Sequence, residues 1–120
     1  MFNQRPFKRS DRLSDEVKSV IANILLKDIY ISKNGLITIT KVDMSRDLRY
    51  AKIFFSHIDT EFTSEELEKK LNQNKNKIRY HMGNNLKTQY VPQINFKFDE
   101  RYAKSARIEK LLNKVNKKTQ

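Results

Sequence analysis

The sequence predicts a single α+β domain in which helices cover one face of a three-stranded sheet. Stretches with apolar residues at spacings of three and four alternate with stretches in which β-branched and polar residues alternate. Their order is helix, strand, strand, broken helix, strand, helix, which is typical of a two-layer domain. The 120 residues suffice for one modest core. We predict a flexible basic arm at 1–9, the domain at 10–115 and a basic tail at 116–120.

The first helix is predicted to begin at Ser10 or Asp11 and to end near Lys27. Either Ser10 or Asp11 can accept a hydrogen bond from the unpaired amides of a first helical turn. One apolar stripe then follows at helical spacing, formed by Leu13, Val17, Val20, Ile21, Ile24 and Leu25. This stripe predicts a helix with one face in the core.

Two strands are predicted at 36–42 and 50–56, because both stretches are rich in β-branched or aromatic residues. Asn34-Gly35 separates the first of them from the preceding helix. A turn around Ser45-Arg46-Asp47 joins the two strands and is short enough to make them antiparallel neighbours.

A helix with an interruption is predicted next, in two pieces at 64–74 and 77–88. Leu67 and Leu71 share a face in the first piece, and Ile78, Met82 and Leu86 share a face in the second. The polar residues between Leu71 and Ile78 are poor helix formers, so we expect the break there.

The third strand is predicted at 93–98, where Ile94, Phe96 and Phe98 alternate with polar residues after Pro92. Because a helical stretch separates it from the second strand, a right-handed crossover is expected to make the two strands parallel. A last amphipathic helix is predicted from Ile108, Leu111, Leu112 and Val115.

The charge of the chain points to a polyanionic partner. The sequence has 25 Lys+Arg against 14 Asp+Glu, a formal net charge of +11, and such a field attracts nucleic acid or an anionic membrane. The membrane is the weaker alternative, because the apolar run Ile21–Leu26 is far too short to span one. No secretory signal pattern opens the sequence, so a cytoplasmic protein is expected.

Enzyme chemistry finds little support in the sequence. The chain has no cysteine, and neither His57 nor His81 has a partner at metal-ligand spacing. Gly35 and Gly83 are the only glycines, so a glycine-rich phosphate loop is absent. We therefore predict no catalytic residue, no metal and no cofactor.

The best candidate for a binding site is the interruption of the second helix. Residues 69–79 contain five cations and no acid, and the break places Asn74 and Asn76 beside Lys75, Lys77 and Arg79. A helix break exposes backbone amides, which can hold a phosphodiester close to the main chain. The alternative interpretation is a solvent-exposed helix face, interrupted by a turn that costs little free energy and binds nothing.

Other cations extend this candidate RNA-binding surface. Arg46 and Arg49 lie in the turn before the second strand, and a further basic cluster begins at Lys104. The arm and the start of the first helix add Arg5, Lys8, Arg9 and Arg12. Spread cations supply affinity for phosphates without reading a base sequence. The sheet phenylalanines are expected in the core, whereas four tyrosines are left undecided. The phenylalanines are Phe54, Phe55, Phe96 and Phe98, and the tyrosines are Tyr50, Tyr80, Tyr90 and Tyr102.

Three stretches of the sequence resemble one family. Val42-Asp-Met-Ser-Arg-Asp-Leu-Arg-Tyr-Ala-Lys-Ile-Phe-Phe-Ser56 is similar to the most distinctive part of the ribosome-binding factor A family, as are Ile78-Arg79 and Val91–Asp99. The resemblance implies a K-homology-type fold of the second topology. It also implies a non-catalytic, monomeric factor without a cofactor or small-molecule substrate. Such a factor binds the 30S ribosomal subunit, assists 16S ribosomal RNA maturation and matters especially in the cold.

The chain departs from the family pattern at the helix break. K-homology domains usually clamp nucleotides with a Gly-x-x-Gly loop, and this family has Ala-x-Gly at its kink, which falls on Asn74-Lys75-Asn76 here. Because Asn tolerates a left-handed backbone better than other non-glycine residues, we predict that Asn76 makes the bend. Without the glycine loop, contact is expected to depend on shape and backbone rather than on reading bases.

Two other functions are compatible with the residues, and a hydrolase acting on RNA is a remote third, which a lack of RNA cleavage by the pure protein would exclude. The chain could be a general single-stranded RNA-binding module without ribosomal preference, or a basic adaptor that meets an acidic protein. A preference for small over large ribosomal subunits would exclude the first alternative, and loss of binding after nuclease treatment would exclude the second.

Overall fold

The computed structural model describes residues 9–87 and 90–101, and its elements follow the predicted order. They are α1 (Arg9–Lys27), β1 (Leu36–Met44), β2 (Tyr50–Ile58), α2 (Ser64–Gln73), α3 (Lys75–Asn85) and β3 (Gln93–Phe98). The predicted arm lies outside the described residues except for Arg9, where α1 begins. The predicted C-terminal helix and the tail at 116–120 lie outside them as well.

The sheet has the strand order β1-β2-β3 and confirms both predicted pairings. β1 and β2 are antiparallel, from Leu36 opposite Ile58 to Met44 opposite Ala51. β2 and β3 are parallel, because α2 and α3 carry the chain back between them. Both β1 and β2 run two residues beyond their predicted ends.

The core lies between the helices and one face of the sheet, as the two apolar periodicities predicted. Among the residues that the structure describes, sixteen hydrophobic side chains are buried in one cluster. They are Leu13, Val17, Ile21, Ile24, Leu67, Leu71, Ile78, Met82 and Leu86 from the helical side, and Ile39, Val42, Ala51, Ile53, Phe55, Ile94 and Phe96 from the sheet. Phe55 and Phe96 are the largest of them, which confirms the predicted core role of these two rings. Phe98 packs against this cluster while partly buried, whereas Phe54 lies outside it, so the expectation is wrong for Phe54.

The first turn of α2 is stabilised in the way helix termini usually are. The Thr63 hydroxyl accepts from the Glu66 N–H at 3.2 Å, and the Thr63 N–H donates to Glu66 Oε1 at 2.9 Å. These two bonds form a reciprocal capping box. Glu65 and Glu66 also place negative charge at the positive end of the helix dipole.

The outer edge of β3 is closed by side chains of α2. Asn72 accepts from the Phe96 N–H at 2.8 Å and donates to the Phe96 carbonyl at 3.0 Å. Glu68 Oε2 accepts from the Phe98 N–H at 3.0 Å. An edge strand normally presents such groups to another chain. Here they are already paired within the domain.

The turn between β1 and β2 is organised by one carboxylate. Asp47 Oδ1 accepts from the Ser45 hydroxyl at 2.7 Å and from the Arg49 N–H at 3.1 Å. Leu48 adopts a positive φ of 63°, which these bonds help to maintain. On the far side of the molecule, Glu61 Oε1 similarly accepts from the Lys33 N–H at 2.6 Å and ties the loop before β1.

Acid is expected to lower the thermal midpoint of unfolding through three carboxylates. The pKa of Asp47 is lowered chiefly by the hydrogen bond from the Ser45 hydroxyl. The pKa of Glu61 is lowered chiefly by the Lys33 N–H, and the pKa of Glu66 chiefly by the Thr63 N–H. Each carboxylate therefore stabilises the fold above its unfolded-state pKa of about 4. That stability is lost as the pH falls through the lower folded-state pKa.

Thermal melts between about pH 2 and pH 7 test this expectation. The midpoint should stay level above about pH 5 and fall below about pH 4. Asp47→Asn, Glu61→Gln and Glu66→Gln combined should flatten the acid slope. Asp15→Asn removes an exposed carboxylate inside α1, outside these hydrogen bonds and away from the helix end, and should leave the slope as it is. An equally steep slope in the triple variant would contradict this assignment.

Candidate nucleic-acid interface

The helix break predicted between residues 71 and 78 consists of one residue, Asn74. Its backbone lies at φ −98° and ψ 6°, in the sparsely populated bridge region. Its N–H is shared by the carbonyls of Lys70 and Leu71, at 3.1 Å each, and its side-chain amide donates to the Lys70 carbonyl at 2.8 Å. Asn74 thus ends α2 and begins α3.

The expected left-handed backbone at Asn76 is wrong. In the described part of the chain the non-glycine residues with positive φ are Leu48 and Asp59, whereas Asn76 is helical. Because Asn74 alone turns the chain, the helix resumes at once. α3 therefore covers Lys75–Asn85 rather than the predicted 77–88.

The first turn of α3 carries cations and lacks the groups that stabilise α2. The Asn74 side chain is bonded back to α2 and caps no amide of α3, and this first turn contains no acid. Instead it contains Lys75 and Lys77, for which the structure shows no carboxylate within 4.0 Å in its described part. A cation at a helix N-terminus typically lowers stability by about 0.3–1 kcal/mol.

Arg79 differs from these lysines in having partners inside the domain. It lies on the inner side of α3, half-buried, where Nε donates to the Pro92 carbonyl at 2.9 Å and Nη2 donates to the Val91 carbonyl at 3.0 Å. These bonds connect α3 to the segment that enters β3. The guanidinium therefore has a structural role in the free protein.

A second group of predicted cations gathers at the β1–β2 turn. Arg49 and Arg12 line one groove of about 1010 Å³ together with Tyr50 and Tyr90. Arg46 is exposed in the same turn. Arg5 and Lys8 lie outside the described residues, and Arg9 is the first residue of α1. The structure thus brings Arg12 and Arg49 together and places them in a different groove from Asn74, Asn76 and Lys77.

Two tyrosines lie beside the helix break, and sequence reasoning did not assign them there. A groove of about 530 Å³ separates the end of α1 from the first turns of α3, and Tyr30 and Tyr80 line it with Asn74, Asn76 and Lys77. Both rings are strongly exposed, at 78 % and 71 %. For Tyr80 a signal existed, because Lys77 lies three residues earlier and therefore on the same helix face. For Tyr30 no local pattern indicated the contact.

The two histidines have separate partners. His57 is held by the hydroxyls of Thr60 and Ser64, at 2.7 and 2.8 Å, and His81 Nδ1 lies 4.0 Å from Asp28 Oδ2. Among residues 9–87 and 90–101, no three His, Cys, Asp or Glu side chains are grouped to hold an ion. No helix in this part of the chain is long and apolar enough to cross a membrane.

The chain matches the family model of ribosome-binding factor A over residues 9–112. It is 38 % identical over 113 residues to the ribosome-binding factor A of Protochlamydia amoebophila, which covers 92 % of this chain and 85 % of the relative. The match therefore includes both grooves and the helix break.

Solved structures show the same fold. The crystal structure of ribosome-binding factor A from Thermus thermophilus superposes with a TM-score of 0.62 at 14 % identity, over 74 % of this chain and 93 % of that one. A homology model of the T. thermophilus ribosome-binding factor A (RbfA), fitted into the map of a 30S–RbfA complex, superposes with a TM-score of 0.58 at 14 % identity. The superposition covers 71 % of this chain and 89 % of that one. The three-stranded sheet with its broken helix is thus the K-homology-like fold of these structures. By sequence and by fold, this chain belongs to the ribosome-binding factor A family.

Proposed function

We propose that this chain is a non-catalytic assembly factor that binds the immature 30S subunit through 16S ribosomal RNA and assists maturation of that RNA. It acts as a cytoplasmic monomer, needs no cofactor or small-molecule substrate, and matters most in the cold. One observation carries the proposal. The first turn of α3 combines Lys75 and Lys77 with amides that Asn74 does not cap.

The contrast between two successive helices supports a phosphate ligand at this turn. α2 begins with a capping box and two glutamates, whereas α3 begins with two lysines and no acid. A phosphate would accept from the first-turn amides and neutralise the lysines. The arrangement is unfavourable in the free protein and becomes favourable with an anion bound, as expected of a binding site.

The choice of polyanion comes from the relatives. The family is one of ribosome-binding factors, and the T. thermophilus protein has been fitted into a complex with the 30S subunit. The net charge of +11 suits an RNA surface. Binding of this chain to the small subunit is the simplest function that joins the two observations.

The proposed RNA surface has a centre and an extension. Lys75 and Lys77 contact phosphates at the centre, and the amides of the helix break position them. The extension is formed by the basic residues of the second groove, its neighbouring turn and the arm. These are Arg46, Arg49, Arg12, Arg5, Lys8 and Arg9. Arg79 acts in this surface by holding α3 in place.

Recognition in this proposal depends on the RNA backbone rather than on its bases. The break contains no glycine with which to admit a nucleotide chain against the main chain. The outer edge of β3 offers no free amide at Phe96 or Phe98, because Asn72 and Glu68 occupy both. Both features favour contacts to phosphates and to RNA shape.

Association with 30S subunits is expected to weaken steeply with salt. If about five phosphates are neutralised, the logarithm of affinity should fall against the logarithm of salt with a slope of roughly −3.5 to −4.5. The double variant Lys75→Ala with Lys77→Ala should bind more weakly. Because it loses about two phosphate contacts, its slope should be shallower by about 1.4–1.8. Sedimentation of tagged protein with separated 30S and 50S subunits at several salt concentrations measures both quantities.

Lys18→Ala, on the exposed side of α1, is the matched control and should bind normally. Crosslinking of the bound fraction then tests whether 16S ribosomal RNA is the contact. Equal affinity for 50S subunits would support the general RNA-binding alternative. Association that survives nuclease would support the protein adaptor. Normal binding by the double lysine variant would move the site away from the helix break.

A further inference from the structure

The groove between the end of α1 and the start of α3 has an unusual lining for a protein surface. Tyr30 and Tyr80 expose 78 % and 71 % of their surfaces there, beside Lys77 and Asn76. Large aromatic side chains are usually covered, because each can remove about 150–250 Å² from water. This groove contains two of them. Lys77 lies beside them and makes no ion pair among the described residues. The combination indicates a ligand with a flat apolar part and an anionic part.

An unpaired ribonucleotide has both parts. Its base stacks on aromatic rings, and its phosphate needs a cation or a helix N-terminus nearby. Lys77 and Tyr80 lie three residues apart on α3, hence on one helix face. The groove is open to solvent and has a volume of about 530 Å³, so a nucleotide of a longer RNA chain can enter it from the side. A base pair inside a duplex cannot reach these rings, because its faces are already stacked.

The charges in the groove fix the direction of the nucleotide. Lys77 and the uncapped first turn of α3 form its cationic end. Asp28 and His81 form the other end, where Asp28 Oδ2 lies 4.0 Å from His81 Nδ1. A carboxylate repels a phosphate but accepts from the amino group of a base. The phosphate therefore belongs at Lys77, and the edge of the base belongs towards Asp28.

We infer that this groove binds one unpaired ribonucleotide of the RNA, with its base stacked against Tyr30 and Tyr80 and its phosphate at Lys77. The inference rests on the proposed function and adds to it a preference for single-stranded RNA beside the phosphate contact. Tyr30 and Tyr80 select an unpaired position, and Lys75 and Lys77 supply affinity for any RNA backbone.

The test compares two labelled RNAs, a short single strand and a hairpin duplex without unpaired ends, by fluorescence anisotropy with the full-length chain. Tyr30→Leu and Tyr80→Leu should each weaken binding of the single strand by about 5-fold or more and leave duplex binding unchanged. Tyr30→Phe and Tyr80→Phe should bind like the unaltered chain, because the ring is kept. Thermal melts establish that every variant is folded.

Ile58→Ala is the control, since Ile58 is an exposed apolar side chain at the end of β2 that lines neither groove. Unchanged single-strand binding by both Leu variants at Tyr30 and Tyr80 overturns the inference. So does an equal loss for the duplex, or a loss for Ile58→Ala as large as the loss for Tyr80→Leu. The lysine variants keep the two proposals apart. If Lys75→Ala with Lys77→Ala loses both RNAs while the tyrosine variants lose neither, the proposed function stands and the nucleotide site fails.

Discussion

Replacing Gly35 with alanine is expected to destabilise the fold by about 3 kcal/mol. Gly35 has a φ of +75°, which alone costs a non-glycine residue about 1–2 kcal/mol. A Cβ atom there would also collide with the Ile58 carbonyl oxygen. Because that oxygen is backbone at the end of β2, the first pairs between β1 and β2 would have to separate.

Gly83 provides the matched control for this substitution. It lies inside α3 with an exposed position, and a Cβ atom there would meet only Val91 Cγ2 at an ordinary 3.5 Å. Gly83→Ala should therefore stabilise the protein by about 0.4–1 kcal/mol. Denaturant titrations measure the free energy of unfolding of both variants, which should fall for Gly35→Ala and rise for Gly83→Ala. A Gly35→Ala protein as stable as the unaltered chain would show that the hairpin tolerates a rearranged loop before β1.

The fold could be predicted from the sequence wherever the signal is local and periodic. The stripes of α1 and α2, the alternation in β3 and the short turn before β2 each depend on residues close together in the chain, and their elements and pairings were predicted. Two positions with a positive φ were not. Leu48 and Asp59 have positive φ without being Gly or Asn, and only the surrounding hydrogen bonds and strand ends explain them.

The candidate site also has features that the local sequence predicts and features that it does not. The run of lysines around a helix break was visible in the sequence, because charge and missing apolar residues are local features. The role of Arg79 was not visible, since the carbonyls it contacts belong to residues 12 and 13 positions later. The groove needed the fold as well. Tyr30 and Tyr80 belong to different parts of the chain, and only the packing of α1 against α3 brings them to one site.

The sequence does not distinguish the three cations of the helix break, Lys75, Lys77 and Arg79. The structure does distinguish them. The two lysines oppose the helix dipole and make no ion pair within the described residues, whereas the arginine makes two hydrogen bonds inside the domain. Changing all three to alanine would therefore mix a loss of contact with a loss of stability. The variants have to be compared separately.

Arg79→Ala is expected to lower the free energy of unfolding by about 2–3 kcal/mol. It removes two hydrogen bonds from a charged donor, and it leaves the carbonyls of Val91 and Pro92 without that partner. Pro92 is buried, so water replaces the lost bond poorly. The thermal midpoint should fall by roughly 10–20 °C. Lys75→Ala with Lys77→Ala should leave the midpoint level or raise it slightly, because both cations oppose the dipole.

RNA binding should respond in the opposite order. Measured well below its lowered midpoint, Arg79→Ala is expected to bind 30S subunits nearly as the unaltered chain does, while the double lysine variant loses about 10-fold or more. Arg79→Lys, which can keep one of the two bonds, should fall between the unaltered chain and Arg79→Ala in stability and match both in binding. The opposite result for Arg79→Ala, an unchanged midpoint with lost affinity, would mean that the guanidinium leaves its carbonyls and joins the phosphates. α3 would then be held to β3 by its apolar contacts through Ile78 and Met82 alone.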